Sequence, residues 1–434
     1  MNSLQLCRLV LAVFITLVGA SDRLAAQTAS FKAGSNAEWD RATWALVHTP
    51  GEELFYGVLH PEAALFERPF SSTLAAKEHE HFVQQLRNQG ISVVQLRDAV
   101  LAGTVDENGR ELPGPALDEL REFAFRFVTL ESDPPVSESQ QDQLKKKYFA
   151  ESFQQLHPDE LWSTIVLNPK ITLRSTGDLN TGVVADYAVR PVMNLYFMRD
   201  QVITTRRGVV VGKMNSEQRH IETEIVRFAL GRIGIKPIGV IEEPGRLEGG
   251  DFLPAGDRVF IGEGLRTNSA AIQQLLDADA FGTDEVVVVK DPWRQQVQMH
   301  LDTYFNLVAD DLALLAENRL GESDHGPTVD VFKKNADGYE LQASGMKFPA
   351  YLKSIGVRVI PVKQQDQLKY GCNVLTLKSN EVFVVDGVSN EFLKTLKEAD
   401  VTVHVVDFSN LTGGYGACHC TVQVLSRKQA VDGR

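Results

Sequence analysis

The sequence has too few basic residues to favour a nucleic-acid partner. Its 44 Lys and Arg are outnumbered by 57 Asp and Glu, which gives a formal net charge of −13. Because proteins bind nucleic acids largely through Lys and Arg that neutralise phosphates, no nucleic-acid partner is expected. A negative surface is compatible with attraction of small cations, although it equally serves solubility.

Cysteine is also scarce, since the 434 residues contain only four, at positions 7, 372, 418 and 420. No two of them have the C-x2-C spacing typical of a structural zinc site, so no bound metal is expected. If Cys7 lies in a removed leader, the other three cannot all pair internally. A strained disulfide between Cys418 and Cys420 is the alternative to a free reactive thiol.

Long hydrophobic runs are absent except near the N-terminus. There Arg8 precedes an apolar run at 9–20, which matches a signal-peptide core and is too short to cross a membrane comfortably. Small residues at 18–20 or 24–26 offer a cleavage site. The expectation is a signal peptide over 1–26, a secreted or periplasmic mature chain and no membrane contact after cleavage. An uncleaved anchor or a buried helix is the alternative.

One layout occurs three times along the chain, beginning at Val209, Val259 and Val382. A β-branched strand runs into a polar turn, an amphipathic helix and another strand. Alternating strands and helices favour an α/β fold, and the weak repeat suggests an assembly of similar modules. Helical spacing replaces the strand signals over about 109–187, which predicts a helical insertion in a catalytic domain spanning 27–434.

Four segments carry residues suited to catalysis. They lie at 194–200 (NLYFMRD), 247–251 (LEGGD), 300–303 (HLDT) and 413–420 (GGYGACHC). A thiol that follows small residues, with a His and several carboxylates far upstream, supplies the parts of covalent catalysis by cysteine. The excess of carboxylates points to a cationic substrate.

Together these segments resemble the arginine deiminase family, within the wider superfamily of guanidine-modifying enzymes, over about residues 37–427. The resemblance implies an α/β fold, a five-bladed ββαβ propeller (pentein) with a helical insertion and an active site at its central axis. It also implies hydrolysis of free L-arginine with water to L-citrulline and ammonia, without a cofactor. The delocalised guanidinium carbon is a poor electrophile, so this reaction needs carboxylates, a soft nucleophile and a proton donor.

The resemblance places the nucleophile at Cys420. The glycine-rich run then aligns with that of the family, and Arg427 falls on a family arginine seven residues later. Cys418 is the rival because it too follows a Gly-Ala pair. Two small buried residues with inert thiols are the non-catalytic alternative.

The same resemblance assigns four other catalytic residues. Asp200 and Asp302 would clamp the planar guanidinium. His300 would protonate the departing amine and later deprotonate the attacking water. Glu248 would contact the guanidinium and influence the protonation of the site.

Four more residues are expected to bind the substrate. Arg219 and Arg266 fall on family positions that bind the α-carboxylate of free arginine, with Asn194 nearby, and Asp251 completes the set. The two arginines argue against agmatine and peptidyl-arginine, which lack a free carboxylate. Tyr415 stands where the family commonly has Arg, so a difference in loop gating or substrate contact is expected.

Two alternatives are open. An amidinotransferase, or a hydrolase of agmatine, methylarginine or peptidyl-arginine, would use the same parts, and the pair His419 and Cys420 resembles that of amidinotransferases. A secreted arginine-binding pseudoenzyme would be expected to lack a catalytic Cys, His or carboxylate, and none is missing. The sequence leaves the oligomeric state open, a homo-oligomer included.

Overall fold

The computed structural model describes residues 32–176, 182–321 and 326–429. The expected signal peptide therefore lies outside the described residues. The chain divides into two compact units. The smaller includes Arg97–Pro191 and Phe228–Gly234, and the larger comprises Lys32–Leu96, Val192–Arg227 and Ile235–Arg434. In the described parts, no helix is long and apolar enough to cross a membrane.

The described residues form twenty strands, numbered along the chain. They are β1 (Arg41–Val47), β2 (Ser92–Gln95), β3 (Thr129–Asp133), β4 (Pro169–Ser175), β5 (Val183–Val189), β6 (Val202–Thr204), β7 (Val209–Val211), β8 (Gly239–Val240), β9 (Phe252–Ala255), β10 (Arg258–Glu263), β11 (Glu285–Lys290), β12 (Phe305–Leu307), β13 (Leu312–Ala316), β14 (Thr328–Asn335), β15 (Gly338–Lys347), β16 (Arg358–Val362), β17 (Leu375–Lys378), β18 (Glu381–Val385), β19 (Thr402–Val406) and β20 (Gln423–Lys428).

The same ranges contain eleven α-helices and eight short 3-10 helices. The α-helices are α1 (Glu52–Leu59), α2 (Ser72–Asn88), α3 (Leu96–Val100), α4 (Pro115–Phe125), α5 (Glu138–Glu151), α6 (Pro158–Leu167), α7 (His220–Arg232), α8 (Ser269–Asp277), α9 (Phe348–Ser354), α10 (Gln364–Gln367) and α11 (Asn390–Glu398). The 3-10 helices span Glu62–Ala64, Phe153–Gln155, Glu217–Arg219, Gly249–Asp251, Gln296–Gln298, Leu301–Thr303, Glu317–Arg319 and Leu411–Gly414.

Five sheets of the larger unit share one pairing pattern within the described ranges. In each, a central strand pairs antiparallel with one neighbour and parallel with another. The central strands are β1, β7, β10, β13 and β18. Along the chain, α7, α8 and α11 each connect the two parallel strands of one sheet. Such a helix is the usual connection because parallel strands require a long crossover. The three predicted strand–helix–strand modules are confirmed, and so is the mixed α/β class.

Helix α8 shows why the sequence folds this way locally. The Asn268 side chain caps the helix by accepting a hydrogen bond from the Ala271 amide at 3.1 Å. Ala271, Ile272, Leu275 and Leu276 are buried, which is the apolar stripe of an amphipathic helix. Capping and burial thus select the same helix.

The smaller unit contains a sheet as well as helices. Its strands β3, β4 and β5 follow in that order, and β4 pairs antiparallel with β5. The sequence predicted few strands here because β5 has no buried residue, so the usual alternation of apolar and polar side chains is missing. In the same unit, the rings of Phe123 and Phe228 stack with centroids 3.9 Å apart.

Candidate active site

The four predicted segments meet in the larger unit, where turns next to short strands hold the polar residues. Asp200 precedes β6, Glu248 precedes the 3-10 helix Gly249–Asp251, and His300 precedes Leu301–Thr303. Glycine is needed for this close approach, because a Cβ at Gly250 would lie 2.7 Å from His300 Nδ1.

Six of the nine predicted site residues line one cavity. They are Asn194, Asp200, Arg219, Arg266, His300 and Cys420. The rest of the wall consists of Leu65, Phe197, Gln296, Met299, Gly414 and Tyr415. Of these six residues, only Tyr415 was singled out from the sequence. The cavity holds about 20 Å³, enough for about one water molecule.

Tyr415 is the lining residue with an unusual backbone. Its φ of 70° lies in the left-handed region, which is uncommon for residues other than glycine. It directly follows the 3-10 helix Leu411–Gly414, where a Cβ at Gly414 would come within 1.9 Å of Tyr196 Oη. The glycine-rich segment thus packs against buried aromatic rings and presents Tyr415 to the cavity.

His300 lies between two carboxylates. Its Nε2 is 2.8 Å from Glu248 Oε2, and its Nδ1 is 3.7 Å from Asp200 Oδ1. Burial opposes protonation, but the charge of Asp200 and the hydrogen bond with Glu248 prevail and raise the His300 pKa to about 9. Burial likewise opposes ionisation of Glu248, yet the bond and charge of His300 hold its pKa well below the usual range. At neutral pH the pair is an imidazolium beside a carboxylate.

Arg219 is engaged by carboxylates of the chain itself. One of its terminal nitrogens lies 2.8 Å from Asp200 Oδ2 and 3.9 Å from Glu248 Oε2. Its Nε and its other terminal nitrogen bond Glu222 at 2.9–3.2 Å. The family resemblance implied that Arg219 binds a substrate carboxylate. In this conformation it instead holds Asp200, which was predicted to clamp the substrate's guanidinium.

Arg266 is less constrained. Its guanidinium donates to Gln296 Oε1 at 3.1 Å and lies 4.0 Å from Glu248 Oε1, while its Nε has no hydrogen-bond partner in the described structure. Asn194 lines the same cavity and donates its side-chain amide to the Ala64 carbonyl at 2.9 Å. Of the two arginines predicted to bind a carboxylate, Arg266 is thus the one held less tightly by carboxylates of the chain.

Asp251 lies behind His300 and away from the cavity wall, although it was expected to bind substrate. Its Oδ1 accepts the Leu301 amide at 2.9 Å, and its Oδ2 has no partner among the described residues. Burial raises the pKa of Asp251 to about 7. The contact with Leu301, the residue after His300, makes Asp251 a support for the histidine segment.

Cys420 faces Asp302 across a short distance. Its Sγ lies 3.7 Å from Asp302 Oδ2, and the same oxygen lies 2.7 Å from His419 Nδ1. Burial, followed by the charges of Asp302 and Asp200, raises the Cys420 pKa well above its ordinary value. Burial and these two carboxylates therefore favour the thiol form of Cys420 over the thiolate.

The structure separates Cys420 from its rival. Both cysteines are buried and free, as is Cys372, so the Cys418–Cys420 disulfide is not formed. Cys420 borders the cavity, whereas Cys418 does not. Burial also raises the pKa of the Cys418 thiol. Position therefore favours Cys420 as the reactive thiol.

Asp200, Glu248 and His300 also have the composition of a metal site, since they bring three ligand atoms within 4.8 Å of one another. Arg219 already donates to Asp200 at 2.8 Å and lies 3.9 Å from Glu248. Its guanidinium supplies the positive charge that a metal ion would bring. The set fits a guanidinium better than a hard cation, which prefers oxygen ligands free of such pairing.

Two buried residues that the sequence analysis did not assign contact the site. Glu222 holds Arg219, and its position three residues later in the chain is a helical ion-pair spacing that could have identified it. Asn373 donates to Cys420 Sγ at 3.1 Å. No local pattern marks Asn373, because 47 residues separate it from the thiol.

Comparison with known proteins agrees with this geometry. Residues 62–427 match the family model described as arginine deiminase. The chain is 28% identical to an arginine deiminase of Halobacterium salinarum, with 92% of this chain and 97% of that one covered. It is 26% identical to an arginine deiminase of Listeria welshimeri, with 88% and 95% covered.

Solved structures show a similar fold. A dimethylarginine dimethylaminohydrolase bound to a pyridine adduct matches with a TM-score of 0.51 at 14% identity, covering 88% of this chain and 98% of that one. An amidinotransferase of saxitoxin biosynthesis from Microseira wollei matches with a TM-score of 0.51 at 16% identity, covering 92% and 99%. With the match of the family model over most of its length, the chain belongs to the arginine deiminase family.

Proposed function

We propose that this protein hydrolyses free L-arginine to L-citrulline and ammonia through a covalent bond to Cys420. The observation that carries the proposal is the common cavity of Cys420, His300, Asp200 and Arg266, in a chain of the arginine deiminase family. The cavity offers a nucleophile, an acid, a carboxylate for the guanidinium and a cation for the α-carboxylate. These are the groups that the reaction requires.

The first half of the reaction forms the covalent intermediate. A guanidinium that binds next to Asp200 and Asp302 brings positive charge close to Cys420 Sγ, which favours the thiolate over the thiol. The thiolate attacks the guanidinium carbon, and one carbon–nitrogen bond breaks. The nitrogen leaves as ammonia with a proton from His300, whose pKa of about 9 keeps it protonated at neutral pH.

The second half regenerates the enzyme. His300, now neutral, removes a proton from a water molecule that attacks the same carbon. The carbon–sulfur bond then breaks as the new hydroxyl loses its remaining proton to the departing sulfur, so that citrulline forms and Cys420 returns to the thiol. Glu248 lies 2.8 Å from His300 Nε2. Its carboxylate stabilises the imidazolium before His300 donates its proton and again after His300 accepts a proton from water.

The proposal includes the five-bladed arrangement of the larger unit. Five sheets with the same antiparallel and parallel pairing support it, because this pairing is the one expected of a ββαβ blade. The site residues lie in turns before or after strands of several of these sheets. An experimental structure tests this arrangement. Five sheets that are not arranged around a common axis would refute it.

Export is a separate proposal. Arg8 and the apolar run at 9–20 support a cleaved signal peptide and a secreted or periplasmic chain. Cell fractionation with N-terminal sequencing tests it. An intact Met1 on cytosolic protein would contradict export without bearing on the chemistry.

The catalytic proposal is tested with purified protein and four substrates: arginine, agmatine, a methylarginine and an arginyl peptide. Citrulline and ammonia should form in equal amounts from arginine and far more slowly from the others. A parallel reaction with an added amine acceptor distinguishes an amidinotransferase, which would transfer the amidino group and yield ornithine. Binding of arginine without any product would identify a pseudoenzyme.

A further inference from the structure

Asn373 has a side-chain amide whose orientation is fixed by its surroundings. It is buried, with 1% of its surface exposed. Its Oδ1 accepts the backbone amides of Ala417 at 3.1 Å and Cys420 at 3.2 Å, and its Nδ2 donates to the Asp302 carbonyl at 3.2 Å. A flipped amide would face two donors with its own N–H groups and a carbonyl with its oxygen. The oxygen and nitrogen positions are therefore determined by the hydrogen bonds.

We propose that Asn373 is a further catalytic residue, which stabilises the Cys420 thiolate by donating its second N–H to Sγ at 3.1 Å. The catalytic part of this inference rests on the proposed function, whereas the effect on the thiol does not. A hydrogen bond to the ionised form of a group favours that form. An amide is suited to this task because it donates without carrying a charge that would compete with the cationic substrate for Asp302.

The surroundings of Cys420 explain why such a donor is needed. Burial and the negative charges of Asp302 and Asp200 disfavour the thiolate, while the Asn373 hydrogen bond and the Ala417 amide favour it. In the described structure, Asn373 is the side chain that donates a hydrogen bond to Sγ. Loss of a hydrogen bond to a charged group should lower the ionisation constant of the Cys420 thiol about 10- to 100-fold. The pKa of the thiol should therefore rise by about one to two pH units.

Asn373 also anchors the loop that carries Cys420, so the test must separate anchoring from donation. Asn373→Asp keeps an oxygen for the amides of Ala417 and Cys420 but replaces the donor to Sγ. Asn306→Asp is the matched control. Asn306 is fully buried, donates to the Val374 carbonyl at 2.9 Å and accepts the Leu307 amide at 2.9 Å. The control therefore carries the same substitution in a similar setting that does not contact the thiol.

The measurement is the rate of Cys420 alkylation by iodoacetamide as a function of pH, read by peptide mass spectrometry without substrate. Asn373→Asp and a second variant, Asn373→Ala, should shift the titration upward by at least one pH unit. Asn306→Asp should leave it at the wild-type position. With arginine, kcat should fall at least tenfold in both Asn373 variants and less than threefold in the control.

Each outcome decides the proposal. An unchanged titration in folded Asn373 variants overturns it. Misfolding of both Asn373 variants, with Asn306→Asp folded, assigns Asn373 to the scaffold and also overturns it. If wild type forms no citrulline but the Asn373 variants still shift the titration, the proposed function fails and the stabilisation of the thiolate stands.

Discussion

His419 Nδ1 lies 2.7 Å from Asp302 Oδ2, so the residue next to the proposed nucleophile holds the carboxylate that faces it. On its other side, His419 Nε2 is 3.7 Å from Glu38 Oε1. Glu38 is buried and paired with Arg427, the arginine that the sequence analysis aligned with the family. Arg427 does not line the cavity. It is connected to the site through Glu38, which lies next to His419.

We predict that His419→Ala lowers kcat/KM for arginine about 10- to 100-fold, since Asp302 loses a hydrogen bond in a buried site. His419→Asn should recover part of the loss because its amide nitrogen can replace Nδ1. Steady-state kinetics with arginine measure both. His404→Asn is the control, since His404 pairs with Glu381 at 2.9 Å outside the site. Equal rates for His419→Ala and wild type would contradict the prediction.

The second prediction distinguishes the two cysteines. Cys420→Ala should abolish turnover by at least about 10³-fold while arginine still binds, because the nucleophile is lost and the carboxylates remain. Cys418→Ala should keep activity within several-fold, since Cys418 does not border the cavity. Turnover assays and binding of arginine by calorimetry give the result. An inactive Cys418→Ala beside an active Cys420→Ala would move the nucleophile to Cys418.

The third prediction concerns the substrate's α-carboxylate. Arg266→Leu should lower kcat/KM for arginine about 10- to 100-fold and change agmatine turnover little, because agmatine has no carboxylate. Arg258→Leu removes a partly exposed arginine that pairs with Glu285 at 3.1 Å, and it should affect neither substrate. Equal losses with arginine and agmatine would refute the carboxylate contact.

The fourth prediction is a pH dependence of stability. The His300 pKa rises from 6.5 to about 9 on folding, so its contribution is complete below pH 6.5 and is lost as pH rises through 9. The loss is on the order of 3 kcal/mol. Urea unfolding should therefore show a free energy of unfolding that declines over this range. His300→Gln should flatten the decline, and an equally steep decline in that variant would exclude His300 as its source.

The sequence was most informative where a function depends on a short segment. The glycines beside Glu248 and the residues around His300 and Cys420 are close in the chain, so their pattern could be read directly. Asn373 could not be predicted, because it meets Cys420 only through the fold. The same is true of the pairing of Arg219 with Asp200, since a sequence position does not reveal which carboxylate an arginine contacts.

The fold could be predicted to a similar extent. Strands β10 and β11 are buried and β-branched, so their type was clear from the sequence. Strand β5 was missed because its exposed residues, among them Val183 and Tyr187, show no periodic burial. Local patterns thus reveal elements that contribute to a core and miss those stabilised mainly by strand pairing.

The pairing of Arg219 with Asp200 gives the free enzyme an internal competitor for its own substrate. Asp200 Oδ1 has no hydrogen-bond partner among the described residues, so a substrate guanidinium that needs both oxygens of Asp200 would bind only to molecules in which Arg219 has moved away, and the apparent affinity would fall by the fraction of such molecules. If that fraction is about 1%, saturation requires about a hundred times more arginine than the direct contacts would set. On the proposed function, such an enzyme would turn over arginine mainly when arginine is abundant.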